Sequence, residues 1–450
     1  MVRLKEVFVC QTCGASAPKW QGQCAACGEW NTLVSEAQVS GAAARNAGKG
    51  ARGHAPASLA EEAVLEQPRL ETGSAELDRV LGGGLVAGSV TLIGGDPGIG
   101  KSTLMLQAAA ALNVSGVALY ATGEESLKQV ALRARRLGLT GATTRLLAET
   151  QVEAIVTAAS ELKASALIVD SIQTMYSERI EAAPGAVSQL RECTAELVRF
   201  AKRSGTAVLL VGHVTKEGQI AGPRVLEHMV DTVLYFESDT GSRFRVLRSV
   251  KNRFGAANEI GVFAMAEQGL REVANPSAIF LSRHATPVSG SVITVMREGT
   301  RSLLIEVQVL ADGSVGANPR RVAVGIDGNR LTMLLAVAHR HAGLVLHDQD
   351  VFANVVGGVR LAETAGDLAI VLAARSSLLD VPLPNSLVVF GELGLAGEIR
   401  PVPFGEERLR EAAKHGFRSA VVPEANAPKR APDGMTVRGV TRLSEALDAF

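Results

Sequence analysis

At 450 residues and 47.0 kDa the chain is longer than one ordinary hydrophobic core supports, so two large domains with a small appendage are expected. Its 47% hydrophobic and 20% charged residues exclude a disordered chain, and with only 4% aromatic residues the cores fall to Leu, Val, Ile and Ala. Lys and Arg total 46, as do Asp and Glu, so no global positive field draws the protein to nucleic acid and any such contact has to be local.

Met1 to Glu6 lead into no apolar leader, and no run approaches the about 18 apolar residues of a membrane span, so the expected location is the cytoplasm, away from membranes. Residues 1–35 carry Cys10, Cys13, Cys24 and Cys27 and are too few to fold on apolar burial alone. The two CxxC pairs, each followed by glycine (Gly14, Gly28), supply four thiolates, the set that suits tetrahedral Zn²⁺ in a ribbon or rubredoxin-like knuckle. A redox role would need a thioredoxin-like βαβ context, which is missing here. Trp20 and Trp30 flank the knuckle; packing over its small core is the expected use, and stacking on DNA bases the other. Residues 36–66 turn Ala- and Gly-rich and read as a flexible linker.

Over 67–285 short apolar runs alternate with helical stretches, which predicts a largely parallel sheet wrapped by helices. Strands are expected at 89–93, 117–121, 166–169, 207–211 and 232–236, and helices at 102–112, 125–137 and 187–204. Between the first strand and the first helix, Gly95-Asp96-Pro97-Gly98-Ile99-Gly100-Lys101-Ser102 satisfies GxxxxGK[ST] in the context this phosphate-binding turn demands. The turn's backbone N–H groups and the helix N-terminus would cradle ATP phosphates, with Lys101 on the β- and γ-phosphates, Ser102 on Mg²⁺, and Thr103 beside them in the nucleotide site. Asp170, at the end of the buried run from Ala166, is the second residue expected on the magnesium side. Glu124 and Glu125 follow another strand; one of them would activate the attacking water, with Glu124 preferred, unless both only cap the next helix. His213 ends a further strand, where it could sense the γ-phosphate, and Cys193 stands alone in a helical pattern as a small core or surface residue.

Residues 286–450 begin with strand-like segments (SVITVMRE, SLLIEVQVL), continue through a long apolar helix at 367–379, and suggest an independent α+β domain.

Taken together, CQTCG, CAACG, the segment from Glu71 through the phosphate turn, ATGEES, GHVTKEG and Lys251-Asn252-Arg253-Phe254-Gly255 closely resemble the bacterial RadA (Sms) family. The resemblance implies an α/β fold with a RecA-type P-loop NTPase core, a small C4 zinc knuckle in front and an α+β Lon-protease-like (S5-like) domain behind. It further implies a DNA-dependent, helicase-like ATPase of DNA repair and recombination in the response to DNA damage. Such a protein would work as a hexameric ring on single-stranded DNA and branched recombination intermediates, driving branch migration with the recombinase RecA as partner. Lys251 and Arg253 would be its motif cations, acting on DNA phosphates or on a neighbouring subunit's ATP. Within the last domain, DVFANVVGGVRLAETAGDLAIVLAARSSLLDVPLP and VVFGELGLAGEIRPVPFGEERLREAAKHGF resemble the Lon protease domain. Its PSAG-like turn reads Glu363-Thr364-Ala365-Gly366 here, with Ala365 taken to stand in the serine's place and Glu406 in the lysine's, so no proteolysis is expected. Arg320, Arg321, Arg330, Arg340 and His341 are that domain's candidate DNA-binding cations. The other readings are an ATP-regulated switch or assembly protein of the RecA superfamily and an ATP-dependent protease.

Overall fold

The computed structural model describes residues 3–10, 12, 14–40, 69–112, 114, 116–139, 143–213, 225–237, 243–281, 286–314, 318–357 and 359–450. Two compact units, Met1–Val273 and Ala274–Phe450, divide the chain, so the second unit starts ahead of residue 286. Most of the expected linker lies outside the described residues; its first part does not behave as one, because the strand that starts at Leu33 runs on to Ser40.

In the first unit β1 (Arg3–Cys10) pairs with β2 (Ser16–Ala17) and with β3 (Leu33–Ser40) in a small antiparallel sheet. The remaining strands are β4 (Val90–Gly94), β5 (Ala118–Thr122), β6 (Arg145–Ala148), β7 (Ala166–Asp170), β8 (Ala207–Val211), β9 (Thr232–Glu237), β10 (Phe244–Asn252), β11 (Ile260–Ala266) and β12 (Gly269–Glu272). They form one sheet in the order β12-β11-β10-β9-β4-β8-β7-β5-β6, parallel from β9 to β6 and antiparallel from β10 outward.

The central strands are buried on both faces, which is why they read as continuous apolar runs. Along β8, Ala207, Leu209 and Val211 enter one core while Val208 and Leu210 enter the other. The first core is shared with α1 (Ala75–Leu81), α2 (Lys101–Leu112) and α3 (Leu127–Arg136). The second is closed by α4 (Val152–Glu161), α5 (Val187–Ser204) and α6 (Val225–Met229). Cys193 lies in this second core, and burial pushes its thiol up to about 12.

All five expected strands of this unit form, as does α5 with the expected ends. The antiparallel edge β10–β12 was not legible, because Arg245, Arg248 and Lys251 interrupt its apolar pattern and β10 is only half buried.

In the second unit, β13 (Ser291–Glu298), β14 (Arg301–Gly313), β15 (Arg321–Val324), β16 (Gln349–Val355), β17 (Leu387–Val389), β20 (Ser419–Pro423) and β21 (Thr436–Val440) form a mixed sheet. Its order is β15-β16-β14-β13-β17-β20-β21, and β18 (Glu392–Leu393) pairs separately with β19 (Ile399–Arg400). The helices are α7 (Gly328–Ala342), α8 (Asp367–Leu379), α9 (Gly405–Lys414) and α10 (Leu443–Leu447). α8 is apolar almost all round and lies in the core as its composition predicts.

One backbone approach fixes a corner of the first unit. α1 starts on Ser74, whose hydroxyl accepts from Leu77 N–H, and ends at Gly82 in the left-handed conformation, φ 85°. A Cβ at Gly82 would lie 2.9 Å from the Gly255 Cα. Gly82→Ala therefore combines left-handed strain with a backbone clash and is expected to cost about 1–3 kcal/mol. A thermal melt should report it as a lowered transition; an unchanged melt would show that the corner gives way freely.

Candidate functional site

β4, β8, β7 and β5 are parallel neighbours, so their carboxyl ends open on one edge of the sheet. Everything the sequence suggested for ATP chemistry except Lys251 and Arg253 follows one of these ends. Gly95 to Gly100 link β4 to α2 with left-handed φ at Gly95, Gly98 and Gly100, conformations open to glycine. A Cβ at Gly98 would meet nothing within 4 Å, so the turn is open toward a ligand there, whereas Gly95 packs against Phe236. Asp96 and Pro97 are exposed, Ile99 is buried in the core, and Ser102 and Thr103 are half-buried in the first turn of α2.

Lys101 is buried, and its Nζ donates to the carbonyls of Gly95 (2.6 Å) and Asp96 (2.9 Å). Burial draws its pKa down, while Asp170, Glu124 and Asp96 oppose the shift. An ammonium gathered with two carboxylates around a Gly-rich turn at a helix N-terminus is built for an anion that brings a divalent cation with it.

The two glutamates part company. Glu124 Oε1 meets His213 Nε2 at 2.9 Å and accepts the Ser171 hydroxyl. The His213 contact first, then the Ser171 bond and the Lys101 charge, hold the Glu124 carboxyl at about 2, against the desolvation that raises it. Glu125 pairs instead with Arg133 on α3, and its N–H and carbonyl are both taken by the Thr122 hydroxyl. Asp170 is buried; its Oδ2 accepts the Tyr120 hydroxyl, and its Oδ1 has no partner among the described residues. An orphaned carboxylate oxygen at this edge fits a Mg²⁺ shell. Sequence reasoning missed Ser171 and Tyr120. The first stands next to Asp170 and could have been suspected, while the second is indistinguishable from a core aromatic. Of GHVTKEG, only Gly212 and His213 fall among the described residues.

Lys251 and Arg253 lie elsewhere. In register, Lys251 faces Val233 and Asn252 faces Thr232, at the amino end of β9, whereas Gly94, on the threshold of the phosphate turn, faces Tyr235. Lys251 Nζ donates to the carbonyls of Glu227 and Val230, both at 2.7 Å, at the end of α6. Arg253 is exposed and contacts Asp231 at 3.3 Å. The motif therefore sits at the sheet edge opposite its own phosphate turn.

The sulfurs of Cys10, Cys24 and Cys27 lie within 4.8 Å of one another, and those of Cys10 and Cys27 are 3.7 Å apart. A tetrahedron of sulfurs about 2.3 Å from zinc has edges of roughly 3.8 Å, so the cluster fits the metal and not a disulfide. Each knuckle closes in the same way, Gly14 N–H on Cys10 O and Gly28 N–H on Cys24 O, both 2.8 Å. Cys13 lies outside the described residues. Trp20 and Trp30 do not pack over the metal core, contrary to expectation: they are 56% and 66% exposed, and Cys10, Cys24 and Leu33 fill the core instead. So few apolar residues leave no room for two indoles.

In the second unit Ala365 is buried in the core, and the hydroxyl of the turn belongs to Thr364, which donates to Glu392 at 2.6 Å. Set letter by letter against PSAG, Thr364 takes the serine's column, which corrects the expectation for Ala365. Glu406 is exposed and paired with Arg410, so no lysine stands by as base. Among the candidate DNA-binding cations, Arg330 is paired with the buried Asp367, Arg320 with Asp350, and Arg321 is bonded to the Leu346 and Gln349 carbonyls. His341 meets the Leu395 carbonyl at 3.0 Å. Four of the five cations thus already have intramolecular partners.

The fold and the turn define a P-loop ATPase, and residues 57–219 match the family model described as AAA domain. Residues 8–35 match the rubredoxin metal binding domain, and residues 335–426 a family described as subunit ChlI of Mg-chelatase. Over its full length the chain is 59% identical to the DNA repair protein RadA of Pseudomonas aeruginosa, covering all of both chains. To the protein of that name from Escherichia coli it is 57% identical (99% of this chain, 98% of the other), and to that from Bacillus subtilis 50% (99% of each). The chain belongs to the bacterial RadA family of DNA repair proteins, with its zinc knuckle, ATPase core and Lon-like final domain. Among the described residues no helix is long and apolar enough to cross a membrane.

Because its pKa is depressed, Glu124 stays ionised through neutral pH, and the stabilisation from its contacts is lost only as pH falls below the ordinary 4.5 toward 2. His213→Ala should move the Glu124 titration part of the way back up, observed through the carboxyl carbon shift on acid titration. An unmoved midpoint would mean that Ser171 and Lys101 suffice.

Proposed function

We propose that this protein hydrolyses ATP in a DNA-dependent manner and spends the energy on moving single-stranded DNA through branched recombination intermediates, working as a ring alongside RecA. The observation that carries the ATPase half is the meeting of Lys101, Glu124 and the orphaned Asp170 Oδ1 at one sheet edge beside an open glycine turn. Family membership over the whole chain carries the DNA half.

In this mechanism residues 95–103 hold the triphosphate on backbone N–H groups and the N-terminus of α2, with Lys101 placed over the turn to meet the β- and γ-oxygens. Bound magnesium supplies charge neutralisation of the developing phosphate, and Ser102 and Asp170 are the residues that would hold its shell. Glu124 orients the attacking water; His213 and Ser171 fix the carboxylate on one oxygen and keep it charged. Glu125 has the lesser role of tying the loop to α3 through Arg133. The exposed Arg253 reaches outward, either to a neighbouring subunit's ATP or to DNA phosphate, since its own phosphate turn is at the other edge. Lys251 buttresses it by holding the end of α6. Cys10, Cys13, Cys24 and Cys27 hold one structural Zn²⁺.

Lys101→Ala should cut ATP turnover by about 100-fold or more, and single-stranded DNA should stimulate the unsubstituted protein at low salt. A purified, zinc-replete sample whose turnover ignores single-stranded DNA would sink the motor reading.

Mixing Lys101→Ala with Arg253→Ala distinguishes the two roles of the arginine. If Arg253 serves a neighbour's ATP, mixed rings regain turnover that neither variant has alone, because some interfaces then carry an intact pair. If it serves DNA, Arg253→Ala keeps its basal turnover without DNA and loses the stimulation.

A further inference from the structure

Tyr120 has no place in the chemistry described so far, although its hydroxyl touches the one carboxylate assigned to the magnesium side. It is fully buried in β5, next to β7. In the parallel register Tyr120 faces Ile168, and Asp170 lies two residues further along the same face of β7, a diagonal that a phenol can span. Its hydroxyl donates to Asp170 Oδ2, while Oδ1, equally buried, has no partner among the described residues. A buried carboxylate ordinarily collects donors on both oxygens. Here one oxygen is pinned and the other is left over, at the edge where Lys101 and Glu124 converge.

We infer that Tyr120 is a positioning residue for the metal shell: by holding Oδ2 it fixes the rotamer of Asp170 and presents Oδ1 to magnesium or to a magnesium-bound water. A carboxylate gripped on one oxygen by a side chain rooted in a neighbouring strand cannot swing toward Lys101 and neutralise it. Nor does it have to be reoriented when the cation arrives. Partners behind a metal-side carboxylate commonly govern metal affinity by about 10- to 100-fold, although they never touch the ion. The inference rests on the assignment of Asp170 to the metal side and deepens it.

The test is equilibrium binding of Mn²⁺ and Mg²⁺ to the full-length protein in the presence of a non-hydrolysable ATP analogue. Mn²⁺ occupancy is read by electron paramagnetic resonance, and Mg²⁺ by its competition. Tyr120→Phe removes one oxygen and keeps the ring, so the fold should survive, and a circular dichroism melt checks this. The metal midpoint should rise about 10-fold, while analogue binding in chelator stays unchanged. Asp170→Asn should raise the midpoint as well, and adding Tyr120→Phe to it should change nothing more, because the hydroxyl acts through that carboxylate. Replacing Tyr120 with 4-aminophenylalanine, which keeps a ring and a donor, should leave the midpoint near that of the unsubstituted protein.

A Tyr120→Phe midpoint equal to that of the unsubstituted protein would overturn the inference, as would an equal shift in the Asp170→Asn background, which marks a merely structural role. If Tyr120→Phe fails to fold, a 4-aminophenylalanine protein that folds yet binds metal as weakly as Asp170→Asn would overturn it too. Should Asp170→Asn alone leave metal binding unchanged, the assignment of Asp170 itself falls, an outcome distinct from the failure of Tyr120.

Discussion

A parallel strand has to be covered on both faces, and that requirement organises the ATP site of this protein. β4, β8, β7 and β5 satisfy it with largely apolar runs that feed two cores at once. Charged groups therefore have nowhere to go along these strands and collect where the strands stop. Lys101, Glu124, Asp170 and His213 are distant in sequence, yet each stands at or just beyond the carboxyl end of one of four adjacent strands. Burying the sheet and assembling the site are one event.

That is also why so much was legible in the sequence. Runs such as Ala166 to Val169 and Ala207 to Val211 admit no amphipathic alternative, and the Gly-rich turn is specific once a strand precedes it and a helix follows. What stayed hidden depends on tertiary partners. The choice between Glu124 and Glu125 turns on which carboxylate finds Arg133 and which finds His213, something no spacing rule encodes. The antiparallel edge was lost because β10 carries cations on a half-buried face. The tryptophans were misplaced because a core of two buried cysteines and a leucine cannot house them. In the turn of the second unit, reading Ala365 for Thr364 was a slip of one position in the alignment with PSAG, and the buried Ala365 and the bonded Thr364 hydroxyl agree with the corrected register.

At the opposite edge of the sheet a second buried carboxylate ties the KNRFG segment to the strand that leads into the phosphate turn. Asp231 accepts the Val90 N–H at 3.0 Å and the Lys202 ammonium at 2.9 Å, and it also meets Arg253. Val90 opens β4, so the group that receives the arginine also anchors the start of the strand whose other end carries the nucleotide turn. Drawing Arg253 away leaves Asp231 with one fewer cation in a buried setting, a loss that falls on the same carboxylate that holds β4. The two edges are thus joined directly by the five residues of β4.

Trp20 and Trp30 are the chain's only tryptophans, and both belong to the zinc knuckle, with their rings bracketing Gly22. Indole emission from the whole molecule consequently originates in a segment of a few dozen residues at the start of the first unit. The protein carries a built-in optical label on its smallest part, so its native fluorescence follows whatever happens to that appendage in solution without any engineered probe.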